Sequence, residues 1–567
     1  MILIAMISDA ALIRELKAIA GAQQVISRRQ SLRRFLRGFA CGEGNAVAVV
    51  RPRTLVDLWR VARASVRAGR IIIVQAANTG MTGGSTPDGR SDRGAVVINT
   101  MQLKGIHLLN AGTQVLCLPG TTLYELDREL RSLQREPHSE IGSTWLGASV
   151  AGGVCNSSGG VLVRRGPAYT EAALYAQLDE TGELRLINEL GIDLGRDPEE
   201  QLESLERGEF FRVLNDMHMR VCSAHDYFEH VRDVDAPTPA RFNADPHYLK
   251  GISGSAGRLI VFALRLDTFP RPAETHVFHL ATDDPDVLSD IRRQMLSQAS
   301  LVPIAAEYMH RDMFQMAARY GKDTFLAVRM FGAARLALLL RLKRTIDAAA
   351  SRLGLGRASL TDRVLQRLSD LVPLHLPDTS RQMGERYAHH LFLKVDGAQR
   401  EAVRALLGNA IPPLKGGCHE CAPDEGRRLF LHRFAAACVM PRYRALNRNL
   451  SGRIVELDVA LRRNDKAWWY VLPDHLKIMV EQTLVYSHFF CHVFHESFIL
   501  KPEADAAAFR RGMLAHYEAR GAECPGEYNV GQVHKAKPAQ AAFYRKLDPT
   551  NTLNPGIGMT SRNKDWT

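Results

Sequence analysis

The chain has 567 residues, 46% hydrophobic and 24% charged, with 73 Lys and Arg against 61 Asp and Glu, a formal net charge of +12. That length suggests roughly three domains, and the composition is that of a folded globular protein, which excludes disordered, collagen-like and mucin-like chains. The positive excess leaves three kinds of partner open: nucleic acid, an anionic membrane surface or an acidic small molecule.

The apolar start, Met1 to Ile13, has no basic leading stretch and no small-residue cleavage site, and Ser8-Asp9 and Arg14 interrupt it, so it does not read as a signal peptide. No run approaches the ~20 apolar residues of a membrane-spanning helix. From about residue 46 the pattern is α/β. Ala46 to Val50 is an apolar run closed by Pro52. Thr54-x-x-Asp57 then marks a helix start, with Leu55, Leu58, Trp59, Ala62 and Val66 at helical spacing up to Gly69. Ile71 to Val74 predicts a strand that runs directly into the tract Ala76 to Ser85. Ala95 to Ile98, Ile106 to Leu109 and Val115 to Leu118 predict further strands, the last two joined by a hairpin at Asn110-Ala111-Gly112. Thr121 to Leu130 predicts a helix, and a second small-residue tract runs from Ile141 to Gly160. Pro270-Arg271-Pro272 reads as a boundary, residues 310–375 as mostly helical, Leu376-Pro377 as a connector, and a further α/β region extends to about 518. The nine cysteines are scattered and odd in number, which predicts reduced thiols. Cys418-His419-Glu420-Cys421 is a lone Cys-x-x-Cys without a second pair at zinc spacing. His389-His390 precedes a strand-like LFLKV, where alternation predicts one imidazole inside and one outside.

The two small-residue tracts carry chemistry. Glycines let backbone N–H groups converge on an anion without a Cβ in the way, and Ser and Thr hydroxyls add donors. Two such tracts within 85 residues fit a pyrophosphate gripped from two sides. Neither is a Walker A loop, and no Gly-x-Gly-x-x-Gly fingerprint follows a first strand, which disfavours NAD.

At these tracts the sequence resembles a known family. QAANTGMTGGSTP, REPHSEIGSTWLGASVAGGVCNSSGG, RRGPAYTE, TPARFNADP, EYMHRDMF, LDVALRRND and DPTNTLNPGIG are similar, in order and over essentially the whole chain, to the vanillyl-alcohol-oxidase/PCMH-type FAD family in its respiratory, quinone-dependent D-lactate dehydrogenase branch. The resemblance implies an α+β fold: a two-subdomain FAD-binding domain (1–267 and 519–567) and an α/β cap with an antiparallel sheet (268–310 and 388–518). A basic helical membrane-docking insert (311–387, with a part near 425–449) completes it. It implies noncovalent FAD held by Ala76, Ala77, Asn78, Thr79, Gly80, Gly84, Ser85, Gly142, Ser149, Gly159 and Val261. It further implies D-lactate as substrate, a membrane quinone as acceptor, and attachment at the cytoplasmic face of the bacterial inner membrane. The alternatives are another D-2-hydroxy acid, such as D-2-hydroxyglutarate or glycolate, and a flavin-binding membrane protein without turnover.

Oxidising a 2-hydroxy acid requires a cation for the carboxylate and a base for the hydroxyl proton. An arginine fork matches a carboxylate bidentately, and Arg433, on a predicted helix in Leu431-His432-Arg433-Phe434, resembles the family's carboxylate-binding arginine. Histidine concentrates at His488, His492 and His495. Related dehydrogenases carry a His-x6-His metal pair with a downstream Glu-His. Here His488 and His495 have that spacing and Glu527 opens EYNVG, but the intervening GDGN loop is missing and Tyr528 replaces the second histidine. Residues seven apart on a strand face opposite sides, so convergence of the pair requires a bend. The expectation is no metal, with His488 or His495 as the base in preference to Tyr528, whose ordinary pKa of about 10 is poorly matched.

Between Lys322 and Leu368 lie ten Lys and Arg (322, 329, 335, 341, 343, 344, 352, 357, 363 and 367) and three acids, so this window supplies +7 of the +12. On a helical projection Leu360, Val364, Leu365, Leu368, Leu371 and Val372 fill one arc, flanked by Arg363 and Arg367, with Asp362, Gln366, Ser369 and Asp370 opposite. That is the pattern of a helix lying in a membrane interface. No nucleic-acid-binding module accompanies the charge.

Overall fold

The computed structural model describes residues 7–209, 212–213, 220–331, 342–343, 345–347, 360–372, 375–411, 415–450, 452–469 and 472–567. The N-terminal half is built on two larger sheets, with two two-stranded pairs beside them. The first orders β1 (Val25–Ile26), β2 (Ala48–Val50), β4 (Ala95–Asn99) and β3 (Ile71–Gln75), with β2, β4 and β3 parallel. Its strands are continuous apolar runs because both faces are covered. One cover is α1 (Leu55–Arg67), which Thr54 caps by accepting the Asp57 N–H and which buries Leu55, Leu58, Trp59 and Ala62. The C-terminal tail returns to this sheet, Leu553 pairing in parallel with Ile72. The second sheet is antiparallel, in the order β5 (Ile106–Leu109), β6 (Gln114–Cys117), β9 (Ile260–Asp267), β7 (Ala173–Leu178), β8 (Leu184–Asn188). After β6, α2 (Leu123–Arg131) starts two residues later than expected, because Thr122 and Glu125 form a capping box.

The second half is built on one seven-stranded antiparallel sheet, in the order β13 (Gly416–Cys421), β10 (Thr275–Thr282), β12 (His389–Asp396), β11 (Ala305–His310), β15 (Val480–His488), β16 (Val493–Leu500), β14 (Ile454–Ala460). Helices α4 (Arg311–Tyr320), α5 (Lys322–Phe331) and α6 (Leu360–Asp370) follow β11, and α7 (Pro423–Ala436) and α8 (Val439–Leu446) follow β13. The expectation of one buried and one exposed imidazole at His389-His390 is corrected: both are buried. Their strand is interior and covered on both sides, His390 packing on Phe314 of α4 and His389 on Trp469. Cys418 and Cys421 lie three apart on the edge strand, one exposed and one buried, so the Cys-x-x-Cys spacing creates no dithiol.

The polar side of α6 faces inward. Asp362 pairs with Arg442 and Lys343, Gln366 donates to the Arg319 carbonyl, and Ser369 is buried. Val364, Leu368, Leu371 and Val372 face out, Leu371 being 82% exposed. With Met330, Leu342 and Ile346 they make seven of the twelve large apolar side chains exposed among the described residues. Leu360's side chain and Arg335, Arg341, Arg344, Arg352 and Arg357 lie outside the described residues. Among those described, no helix is long and apolar enough to cross a membrane.

Candidate active site

The loop after β3 is fixed by its own side chains. Gln75 donates to the carbonyls of Phe35 and Ser85, Ser85 donates to Asn78 Oδ1, and Asn78, at φ 55°, donates to the Arg37 carbonyl. Asn554 of the returning tail donates to the carbonyls of Gly84 and Ala256, tying the two regions together. The second tract turns into α3 (Val150–Cys155), which Ser149 caps. Between the tracts lies a cavity of 1090 Å³, and all eleven residues expected to hold FAD line it. A Cβ added at Gly80 or Gly142 would meet nothing within 4 Å, so backbone at both tracts borders open space. Small polar loops on two sides and an apolar floor of Val74, Leu259 and Val261 fit a dinucleotide: donors for a pyrophosphate, flat apolar surface for rings.

Beside this cavity the cap sheet assembles a charged cluster through strand register. Glu307 pairs with His488 across β11 and β15, Tyr486 with His495 across β15 and β16, and His495 with Asp458 across β16 and β14. Residues directly opposite share a face, as do residues two apart on one strand, so all five side chains project from one face. The bend required between His488 and His495 is the turn Phe489–Cys491 with His492 left-handed, and it brings the imidazole centroids to 5.4 Å. From α7, Arg433 reaches Glu307 at 2.9 Å and stacks over the Tyr486 ring at 4.1 Å. From the tail, Glu527 lies 3.2 Å from His488 Nε2 and pairs with buried Arg241. The Glu527 and Tyr528 amides donate to Asp458 Oδ2 at 2.7 and 2.6 Å. Gly159 permits this approach, since a Cβ there would strike Glu527 Oε1.

The two imidazoles differ. Burial opposes a charge on His488, but Glu307 at 2.7 Å from Nδ1 and Glu527 on the other nitrogen outweigh it and raise its pKa to about 9. At neutral pH it is therefore an imidazolium without a free lone pair. Burial likewise works against ionising Glu307 and Glu527, but His488, with Arg433 and Arg241 respectively, holds both below the usual carboxylate range. His495 Nδ1 lies 3.2 Å from Asp458 Oδ1 across the paired strands, although neither atom makes a hydrogen bond among the described residues. Burial pushes the Tyr528 hydroxyl well above its ordinary value. Arg433 Nε has no hydrogen-bond partner among the described residues, although the residue is buried. His488, His495 and Glu527 also each offer an atom within 4.8 Å of the others, which is within reach of one divalent cation.

The structure thus brings Arg433, His488 and His495 together next to the cavity. Sequence reasoning assigned no role to Glu307, Asp458 or Arg241, although each sits in a motif quoted above. The available signal was acidic residues inside apolar strands, one in AAEYMH and two in IVELDVA, which are costly to bury unless paired.

Comparison with known proteins gives concordant results. A family described as "FAD binding domain" matches residues 46–182, and one described as "D-lactate dehydrogenase, membrane binding" matches residues 277–566. The chain is 47% identical over 559 residues to the quinone-dependent D-lactate dehydrogenase of Haemophilus influenzae, covering 98% of this chain and 99% of that protein. It is 45% identical over 560 residues to that of Escherichia coli, covering 98% of each. Among solved structures it superposes on p-cresol methylhydroxylase with a TM-score of 0.58 at 13% identity, covering 97% of this chain and 96% of that one. For alkyldihydroxyacetonephosphate synthase the TM-score is 0.57 at 12% identity, covering 96% and 84%. These structural likenesses show the fold, the PCMH type of FAD-binding architecture with a large antiparallel cap sheet.

Proposed function

Since the chain belongs to the family of quinone-dependent D-lactate dehydrogenases, we propose that it oxidises D-lactate to pyruvate with FAD and passes the electrons to a membrane quinone. The observation that carries this reading is the juxtaposition of a dinucleotide cavity with a buried Arg, Asp–His and imidazolium cluster. The residues that would hold FAD are the eleven named above, without a covalent link. Bound there, the flavin supplies the acceptor for the hydrogen on C2. Arg433 binds the substrate carboxylate, using the Nε donor that has no partner among the described residues. His495, oriented by Asp458, takes the hydroxyl proton at Nε2, as a general base must be placed and oriented to do. His488, held as an imidazolium between Glu307 and Glu527, stabilises the oxygen that loses its proton. The reading divides the chain into the FAD domain 1–267 with 519–567, the cap 268–310 with 388–518, and the insert 311–387 with a contribution near 425–449.

Association with the membrane is peripheral: the family description carries membrane binding and no described helix can span. We further place the protein on the cytoplasmic face of a bacterial inner membrane, whose anionic surface attracts the basic insert.

Two measurements test the chemistry. Purified enzyme given D-lactate and a short-chain quinone forms pyruvate, and acid precipitation releases the flavin into the supernatant; flavin retained on the precipitate contradicts noncovalent binding. A pH profile tests His488. Its pKa is raised on folding, so its ion pairs contribute fully below the ordinary 6.5 and are lost as pH rises through about 9. Activity accordingly declines on that alkaline limb.

A second reading rests on the 4.8 Å grouping of His488, His495 and Glu527, with Glu307 and Asp458 behind the two imidazoles as carboxylates often stand behind metal-bound histidines. It predicts stoichiometric metal by elemental analysis and activity lost to a chelator. The imidazolium reading predicts neither.

A further inference from the structure

The cavity that opens at the FAD tracts does not close there. Its walls continue past Phe434 and Pro441 to the docking insert, where Leu326, Met330, Ile346, Val364, Leu365 and Leu368 line it. Met330, Ile346, Val364 and Leu368 are at the same time among the large apolar side chains exposed at the surface. One continuous space therefore joins the flavin cradle to the face of the protein that meets lipid. Where the two parts join, α8 contributes Arg442, which is 7% exposed. Its guanidinium pairs with Asp323 of α5 and with Asp362 of α6 at 2.7 Å, yet Nη1 has no hydrogen-bond partner among the described residues. A buried, unpaired guanidinium donor is costly unless a ligand oxygen meets it.

Resting on the reading of the chain as a quinone-dependent dehydrogenase, we infer that this stretch is the quinone site. The quinone enters from the bilayer between α5 and α6, a ring carbonyl accepts from Arg442 Nη1, and the apolar tail lies along Val364, Leu365 and Leu368. The balance closes over the two half-reactions. D-lactate loses C2–H as hydride and O–H as a proton, and the quinone takes up two electrons and two protons to become quinol. The proton taken by His495 is returned through solvent.

The test uses the full-length, FAD-loaded enzyme on anionic vesicles. A photoactivatable azidoquinone is crosslinked and the adducts are mapped by mass spectrometry; they are expected within 322–331, 360–372 and 439–446. In parallel, Leu368→Trp and Val364→Trp narrow the conduit at exposed positions where folding is not at stake, and Arg442→Met removes the donor. Flavin bleaching by D-lactate measures how much folded, loaded enzyme each variant contains. Per loaded enzyme, the quinone KM is expected to rise at least tenfold in the Trp variants. Adducts confined to other segments, absent adducts, or an unchanged quinone KM in both Trp variants overturn the inference. If D-lactate fails to bleach the unmodified enzyme, it is the parent reading that falls.

Discussion

Glu307 and Asp458 set the roles of the two imidazoles they touch. Glu307, joined by Glu527, converts His488 into a cation, whereas Asp458 spends Oδ2 on two backbone amides and leaves Oδ1 3.2 Å from His495 Nδ1. Asp458→Asn is therefore expected to lower kcat much more than it raises KM, by roughly 10²–10⁴-fold, the range for losing an oriented general base. A change confined to KM in steady-state assays contradicts the assignment. Arg433→Ala removes charge-assisted hydrogen bonds worth about 1.5–3 kcal/mol, so kcat/KM for D-lactate should fall at least ~10-fold while FAD stays bound. Unchanged kinetics remove Arg433 from the site. The two tracts that line the cavity were legible in the sequence because each is local, glycines and hydroxyls within a few consecutive positions. The carboxylate partners were not, because Glu307 and His488 stand 181 residues apart and only the register of β11 and β15 makes them neighbours.

At the scale of the element, α6 is an amphipathic helix whose usual orientation is reversed. A helix on a water-soluble surface buries its apolar stripe; here Asp362, Gln366 and Ser369 are buried and Val364, Leu368 and Leu371 are exposed. The helical projection separated the two arcs correctly, but which arc faces the protein depends on Arg442 and Lys343, residues of other segments that receive Asp362. Reversal at Arg363→Glu and Arg367→Glu leaves those buried contacts alone. At about 1 kcal/mol per basic residue near an anionic surface, it should weaken binding to anionic vesicles by about 2 kcal/mol or more, some 30-fold. Reduction of a soluble dye by D-lactate should persist. Vesicle binding unaltered by the double reversal places the docking surface elsewhere. The bend at Phe489–Cys491 was anticipated only as a requirement of the His488–His495 spacing, because nothing in Phe-Phe-Cys-His marks a turn by composition.

Across the whole molecule, the sequence order scatters one function over distant segments. The two glycine tracts come from the first third, the cluster from the cap sheet and the tail, and the exposed apolar surface from helices inserted after β11. Of the +12 that left three kinds of partner open, +7 belongs to the window from Lys322 to Leu368, within the stretch matched by the membrane-binding family. In the proposed reading the acidic substrate instead meets Arg433, in a cluster where Glu307, Glu527 and Asp458 offset the buried cations. The claim joining these parts is that D-lactate, bound in the cap, reduces a flavin held in the neighbouring cavity. Anaerobic titration of the purified enzyme with D-lactate measures it directly. The account predicts loss of the oxidised flavin's visible absorption band, with one pyruvate formed per flavin and a rate of loss at least ~10-fold lower in Arg433→Ala at equal, sub-saturating D-lactate. An oxidised band that survives saturating D-lactate, or bleaches as fast in Arg433→Ala, contradicts it.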